Sequence, residues 1–407
     1  MSRLRVAALA IAVGLVLAGC GAGSGKPSKS VAGAGPASSV ENVGKSNPAV
    51  GSSGIATTTA TSMPRPFAAG SPWNTRVDQL PADPSSSRLI SLAQQRQDVE
   101  YTGSLTPHVV TRTITAGLFI NTTRWTDTIV EAGEGVPTSV ICRQQMTYCG
   151  EGAGVSTLNI PVGVSPKPQF DGWFTVLDRS ADTAYDLWRA RRGANGRVIS
   201  YQYMRKWSLT GPGYSPPGVA SARGSGLPLF AGVITPQDIQ AGTIEHALAI
   251  SLPGPARGTY VQPASTTDGV GAQASLPEGA RIRLRADVRL GRISTGTDAR
   301  ATRAIVRALK LYGAIVVDRA HVPTLYAQLN SDWQSPLKNG AGKLIYGDGR
   351  ELPAALQGIE GQGVPLLRGN EVQSLHLRDF EVVSLPPRLS YPPPGTPAVP
   401  ATPATEE

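Results

Sequence analysis

The sequence predicts a mainly β, antiparallel fold with a few short helices. Three observations carry this expectation. The chain of 407 residues holds 46 glycines and 34 prolines, only 16% of its residues are charged, and its apolar runs are short and broken by turn residues. No internal repeat of 20 to 50 residues is visible, which argues against a propeller or solenoid. There is no GxSxG elbow and no phosphate loop; Gly224-Ser225-Gly226 is too short to count as either.

Four segments follow from composition. Arg3 and Arg5 precede an apolar run from Val6 to Val16, and Leu17-Ala18-Gly19-Cys20 resembles the lipobox of bacterial lipoproteins. The run is too short to span a bilayer, so residues 1–19 are expected to be a cleaved export signal. The resemblance implies that Cys20 is acylated, as with palmitate, and anchors the chain to the cell membrane or outer membrane, outside the cytoplasm. An ordinary secretory signal with an incidental cysteine is the alternative. Residues 20–65 are rich in Gly, Ser, Ala and Thr and cannot offset their ordering entropy by burial, so they read as a disordered tether. Residues 66–390 form the folded domain, and 391–407 a Pro/Thr/Ala-rich tail.

The formal charge is +9, and loss of Arg3 and Arg5 with the signal leaves +7. Arg189, Arg191 and Arg192 cluster, while Arg281, Arg283, Arg285 and Arg289 form an alternating series that reads as a solvated strand face. No nucleic-acid motif accompanies the charge; an anionic polysaccharide or lipid is the more natural counterpart. Cys142 and Cys149 bound a six-residue loop and, in an exported chain, are expected to form a disulfide. No zinc, haem or iron–sulfur signature appears, and no metal or other cofactor is expected.

Taken in order, Trp73 reads as a core anchor or a sugar-stacking ring, and Ser85–Gln97 as an amphipathic helix striped by Leu89, Ile90, Leu92 and Ala93. Thr-, Val- and Ile-rich strands follow between 109 and 164. Phe174–Asp178 and Ala184–Trp188 form a hairpin with Tyr185 and Leu187 on one face and Asp186 and Trp188 on the other. It brings Asp171, Asp186, Tyr185 and Trp188 together, as a carbohydrate site needs, although a turn role for Asp171 and a core role for Trp188 explain each residue equally. Thr235, Pro236, Asp238 and Gly242 delimit a short capped helix, after which Ile244, His246, Leu248 and Ile250 share one strand face. A second helix spans 299–313 with Ala301, Ile305, Ala308, Leu309 and Tyr312 as its stripe, and the buried strand after it ends in Asp318. Tyr326 lies just beyond.

The segments SPWNT at 71–75, AYDLWRAR at 184–191, GLPLFAGVITPQDIQAGTIEHALAI at 226–250, PEGARIRL at 277–284 and ALKLYGAIVVD at 308–318 resemble a family of secreted actinobacterial and other bacterial proteins. The resemblance implies a β-sandwich of jelly-roll or concanavalin-like kind and activity on, or binding to, polysaccharide. It assigns no catalytic residue. The residues themselves offer two chemistries. In β-elimination, His246 or Tyr185 removes a proton beside a carboxylate neutralised by Arg223. In hydrolysis, two of Asp171, Asp186, Glu245 and Asp318 flank the glycosidic bond, with Tyr185, Trp188 and Tyr326 binding substrate. A non-catalytic envelope lipoprotein binding cell-wall glycan or a protein is the alternative.

Overall fold

The computed structural model describes residues 65–101, 107–289, 299–329, 337–338, 344–345, 367 and 369–392. The export signal, Cys20, the tether before residue 65 and the tail from 393 onward lie outside the described residues. None of the described helices is long and apolar enough to cross a membrane.

The elements run α1 (Ser86–Ala93), β1 (Gln95–Tyr101), β2 (Pro107–Thr113), β3 (Phe119–Asn121), β4 (Thr128–Glu131), β5 (Val136–Cys142), β6 (Thr157–Ile160), β7 (Phe174–Asp178), β8 (Thr183–Trp188), β9 (Arg191–Arg192), β10 (Val198–Tyr201) and β11 (Tyr203–Ser208). There follow α2 (Pro236–Ala241), β12 (Leu248–Leu252), β13 (Thr259–Tyr260), β14 (Arg281–Leu284), α3 (Ala299–Leu311), β15 (Ala314–Arg319), β16 (Thr324–Tyr326), β17 (Leu337–Lys338), β18 (Leu344–Ile345), β19 (Phe380–Val382) and β20 (Leu389–Ser390).

Strands predominate in several mostly antiparallel sheets with few helices. The largest has the order β19-β14-β15-β12-β16-β3; two four-stranded sheets run β11-β8-β7-β4 and β6-β5-β10-β9. A jelly-roll sandwich is not confirmed by this order. Four ladders are parallel, β4 with β7, β5 with β10, β3 with β16 and β12 with β15, and the last is joined through α3.

Side-chain alternation makes the layers. On β12 and β15, Leu248, Ile250, Ala314 and Val316 join one core with Ile305 and Leu309 of α3. Ala249, Ile315 and Val317 face a second core with Leu177, Ala184 and Trp207 of the β7-β8-β11 sheet. The opposite face of that sheet packs Phe174, Val176 and Leu187 against Val140, Ile160 and Ile199 of the third sheet, closing a third core. The six-stranded sheet is thus covered on both sides, so β12 is buried throughout.

Local expectations fare unevenly. The β7–β8 hairpin pairs Phe174 with Leu187 and Asp178 with Thr183, as the alternation requires. Thr235 and Asp238 form a reciprocal capping box on α2, and Gly242 ends it at φ 72°. Trp73 is a core anchor whose Nε1 donates to Gly213 O at 2.9 Å. Helix α1 stops at Ala93 because Gln95 enters the β1 ladder. The alternating arginines are not a solvated face: Arg281 donates to Pro72 O and Tyr312 O, while Arg283 meets Glu381 Oε1 at 2.7 Å and donates to Val77 O, stapling the N-terminal segment to β14.

Candidate functional site

Between the six-stranded sheet and the β7-β8-β11 sheet lies a buried polar chain. Thr175 Oγ1 is 2.6 Å from Asp127 Oδ2 and 2.7 Å from Asp186 Oδ1, and all three residues are buried. A hydroxyl has one proton to give. One carboxyl must therefore carry its own proton and donate to Thr175. Asp186 Oδ2 already accepts from Trp207 Nε1 at 2.9 Å and Leu229 N at 2.7 Å, which favours its ionised form. Asp127 thus holds the proton. Burial and then the Asp186 charge raise its pKa to about 8, whereas burial raises Asp186 only to about 6.

Arg223 supplies the cation of this layer. Its guanidinium carbon lies 5.1 Å from the Trp173 ring centre and 5.0 Å from that of Tyr326, and Nη1 and Nη2 donate to Pro228 O and Leu229 O, each at 3.3 Å. Asp186 and Arg223 thus engage the N–H and C=O of the same residue, Leu229. Both residues, expected at a reaction centre, are buried here.

The open part of the site is at the end of β15. A register shift between Ile250 and Ser251 skips Val317, pairs Ser251 with Asp318 and re-aims the strand end. Asp318 there joins Asp268 and Glu278, with one carboxylate oxygen of each lying within 4.8 Å of the others. Glu278 is held by its backbone on two sides: its carbonyl accepts from Val261 N, and the next N–H, of Gly279, donates to Val316 O. Gly279 sits at φ 85°, where a Cβ would lie 1.8 Å from Val261 O. Glu278 is fully buried; its Oε2 accepts from Asp268 N at 3.3 Å and its Oε1 has no hydrogen-bond partner. Burial, followed by the charges of Asp268 and Asp318, holds its carboxyl well above the usual range. Burial and then Asp268 raise Asp318 to about 7. Asp268 is 39% exposed and bonded to Arg319 at 3.2 Å, so the trio meets solvent there. Tyr326 closes the floor, its hydroxyl bonded to Ser251 Oγ and its pKa pushed up by burial and then Asp318.

Of the residues expected from sequence, Asp318, Tyr326 and Arg223 come together. Asp171 has a left-handed backbone at φ 63°; burial raises its carboxyl, opposed by Arg189 and Arg319. Trp188 lies under Arg189, 4.6 Å from ring centre to guanidinium carbon. Tyr185 packs on the third core, where burial raises its phenol away from a base's range. His246 precedes β12 instead of lying on it: Nδ1 bonds Ala247 O at 2.9 Å and Nε2 faces Asp238 Oδ2 at 3.5 Å, so the ring buttresses the cap of α2. Burial opposes its charge, but Asp238 and the Ala247 carbonyl leave the pKa raised. Glu245 is exposed beside Arg65.

Asp268 and Glu278 escaped the sequence reading. Each stands before a glycine, in Thr-Asp-Gly and Pro-Glu-Gly, and both read as turns. Cys142 and Cys149 form the expected disulfide. A three-carboxylate group in which burial raises two members can perform acid–base chemistry, and the same oxygens can hold a divalent cation. No family model, curated protein or solved structure matches the chain.

Proposed function

We propose that the chain is a lipoprotein, tethered outside the cytoplasm through acylated Cys20, that hydrolyses a polysaccharide at Asp268, Glu278 and Asp318. The single observation behind this reading is the pairing of exposed, Arg319-bonded Asp268 with part-exposed Asp318, whose carboxyl is raised to about 7. A carboxyl that burial keeps protonated, beside a solvent-facing one paired with an arginine, supplies an acid and a nucleophile. Asp318 gives its proton to the glycosidic oxygen as that C–O bond breaks, and an Asp268 oxygen bonds to the anomeric carbon. Water then displaces Asp268 while the Asp318 carboxylate takes up the water's proton. Oxygens within 4.8 Å suit direct attack better than the roughly 6.5–9.5 Å separation that leaves room for a water. Buried Glu278 stays protonated behind them.

The test is a mass-spectrometric product screen over neutral and uronate-containing polysaccharides. Asp318→Asn and Asp268→Asn, still folded, should each lose roughly 10²–10⁴-fold in rate. Undiminished cleavage by both variants would remove the reading. A second reading, a divalent cation at the same trio, is favoured by the unpartnered Glu278 Oε1. Calorimetric titration with calcium, giving one site that Glu278→Gln abolishes, would select it.

A further inference from the structure

We propose that the surface formed by Arg143, Arg189 and Arg191 beside Trp188 and Trp125 binds the negatively charged sugars of an acidic polysaccharide, as an extension of the carboxylate site. This deepens the hydrolytic reading and rests on it for the link between binding and cleavage.

The arginines are gathered by structure. Cys142, next to Arg143, is fixed by the disulfide, and Arg143 spends Nη1 on Ser200 Oγ at 2.7 Å and Nη2 on Arg189 O at 2.6 Å. Arg191 pairs with that same Ser200 in the β9–β10 ladder. Burial, then Arg191, then Arg189 lower the pKa of Arg143, so three like charges share one field. Among the described residues none of the three forms an ion pair with a carboxylate, whereas Arg179, Arg205, Arg283 and Arg319 each do. Arg192, part of the cluster in sequence, turns away and donates to Val164 O, Gly196 O and Pro161 O. The gathered cations therefore have no ion-paired carboxylate, Asp171 acting on Arg189 without one.

The backbone is strained at the same place. Arg189 at φ 49°, Asp171 at φ 63° and Trp125 at φ 45° are three of the five non-glycine residues with left-handed backbones among the described residues. Each such residue costs on the order of 1–3 kcal/mol and persists where its surroundings over-determine it, typically at ligand sites. Arg189 N donates to Asp171 O at 2.9 Å, tying two of them together. Trp125 is 49% exposed and rests on Phe170, ring centres 5.0 Å apart, immediately before Asp171. An exposed indole, joined to Arg189 through Phe170 and Asp171, and guanidiniums with no carboxylate in an ion pair match a sugar ring bearing an acid. Asp171 feels both Arg189 and Arg319, and Arg319 bonds Asp268, which couples the surface electrostatically to the carboxylate trio.

Carboxylated and sulfated sugars share this chemistry, and affinity electrophoresis separates them. The full chain would be run through gels containing polygalacturonate, dextran sulfate or neutral dextran, and tested for sedimentation with phosphatidylglycerol vesicles. Retention by one or both charged polymers but not by neutral dextran is expected. Arg143→Gln with Arg191→Gln should weaken it roughly tenfold or more, and Trp125→Ala should weaken it at constant charge. Arg197→Gln, an exposed arginine away from these contacts, should leave it unchanged. Equal loss in Arg197→Gln, wild-type retention in the double variant, or binding to vesicles alone would overturn the proposal. Retention needs no turnover, so the two readings separate: binding without any cleavage by the wild type removes hydrolysis and leaves this surface standing.

Discussion

Replacing Asp127 by Asn should flatten the pH dependence of stability. In the folded chain Asp127 keeps its proton up to a pH of about 8, whereas its ordinary value is 3.8. Between those values the folded state binds one proton more than the unfolded state. The stability this group contributes is therefore full below its unfolded value and is lost as pH rises toward its folded value. The slope is about −1.4 kcal/mol per pH unit, or roughly 2 kcal/mol from pH 5.5 to 7. Asn can turn its amide N–H toward Thr175 in place of the Asp127 proton and keeps the neutral charge that Asp127 has there, but it does not titrate. Its second N–H and its oxygen, which takes the place of partnerless Oδ1, are left unpaired, so the variant should be less stable at pH 5.5 by roughly 1–3 kcal/mol. Burial raises Asp186, Asp318 and Glu278 too, so both proteins should lose stability with pH. The difference between their slopes isolates Asp127. Urea unfolding followed by tryptophan fluorescence at pH 5.5, 6.2 and 7.0 measures it. Parallel lines would refute the assignment of the proton to Asp127.

Other outcomes follow from single contacts. Gly279→Ala should destabilise the fold by roughly 2 kcal/mol or more in thermal unfolding, since its Cβ would meet Val261 O at 1.8 Å and its φ is 85°. His246→Ala should lower the melting temperature and leave any polysaccharide cleavage intact, because both ring nitrogens face Asp238 and Ala247; abolished cleavage in a folded variant would return His246 to the reaction. Removing the Cys142–Cys149 bridge by a double Ser substitution should cost about 2–3 kcal/mol by loop closure and reduce retention on polygalacturonate by freeing Arg143. Cys20→Ser should release the chain from the membrane fraction, and unchanged sedimentation would exclude acylation as the anchor.

Sequence by itself determined what depends on neighbours along the chain. The stripe of α3 is legible because Ala301, Ile305, Ala308 and Leu309 recur at helical spacing, and all four are buried. The α2 capping box, the β7–β8 hairpin and the Cys142–Cys149 bridge are likewise fixed within a few residues to a dozen. Tertiary structure alone decided the site. Asp268, Glu278 and Asp318 are brought to one point by the Val261–Glu278 and Gly279–Val316 backbone bonds and by the shifted β12–β15 register, none of which has a local signal. The same holds for electrostatics: Asp127 lies in an ordinary strand approach and Arg143 in a loop, yet burial gives one a proton, and packing gives the other two arginine neighbours. Periodicity reports which face of an element is apolar. It does not report which carboxylates lose their water, because desolvation depends on what the rest of the chain stacks above them.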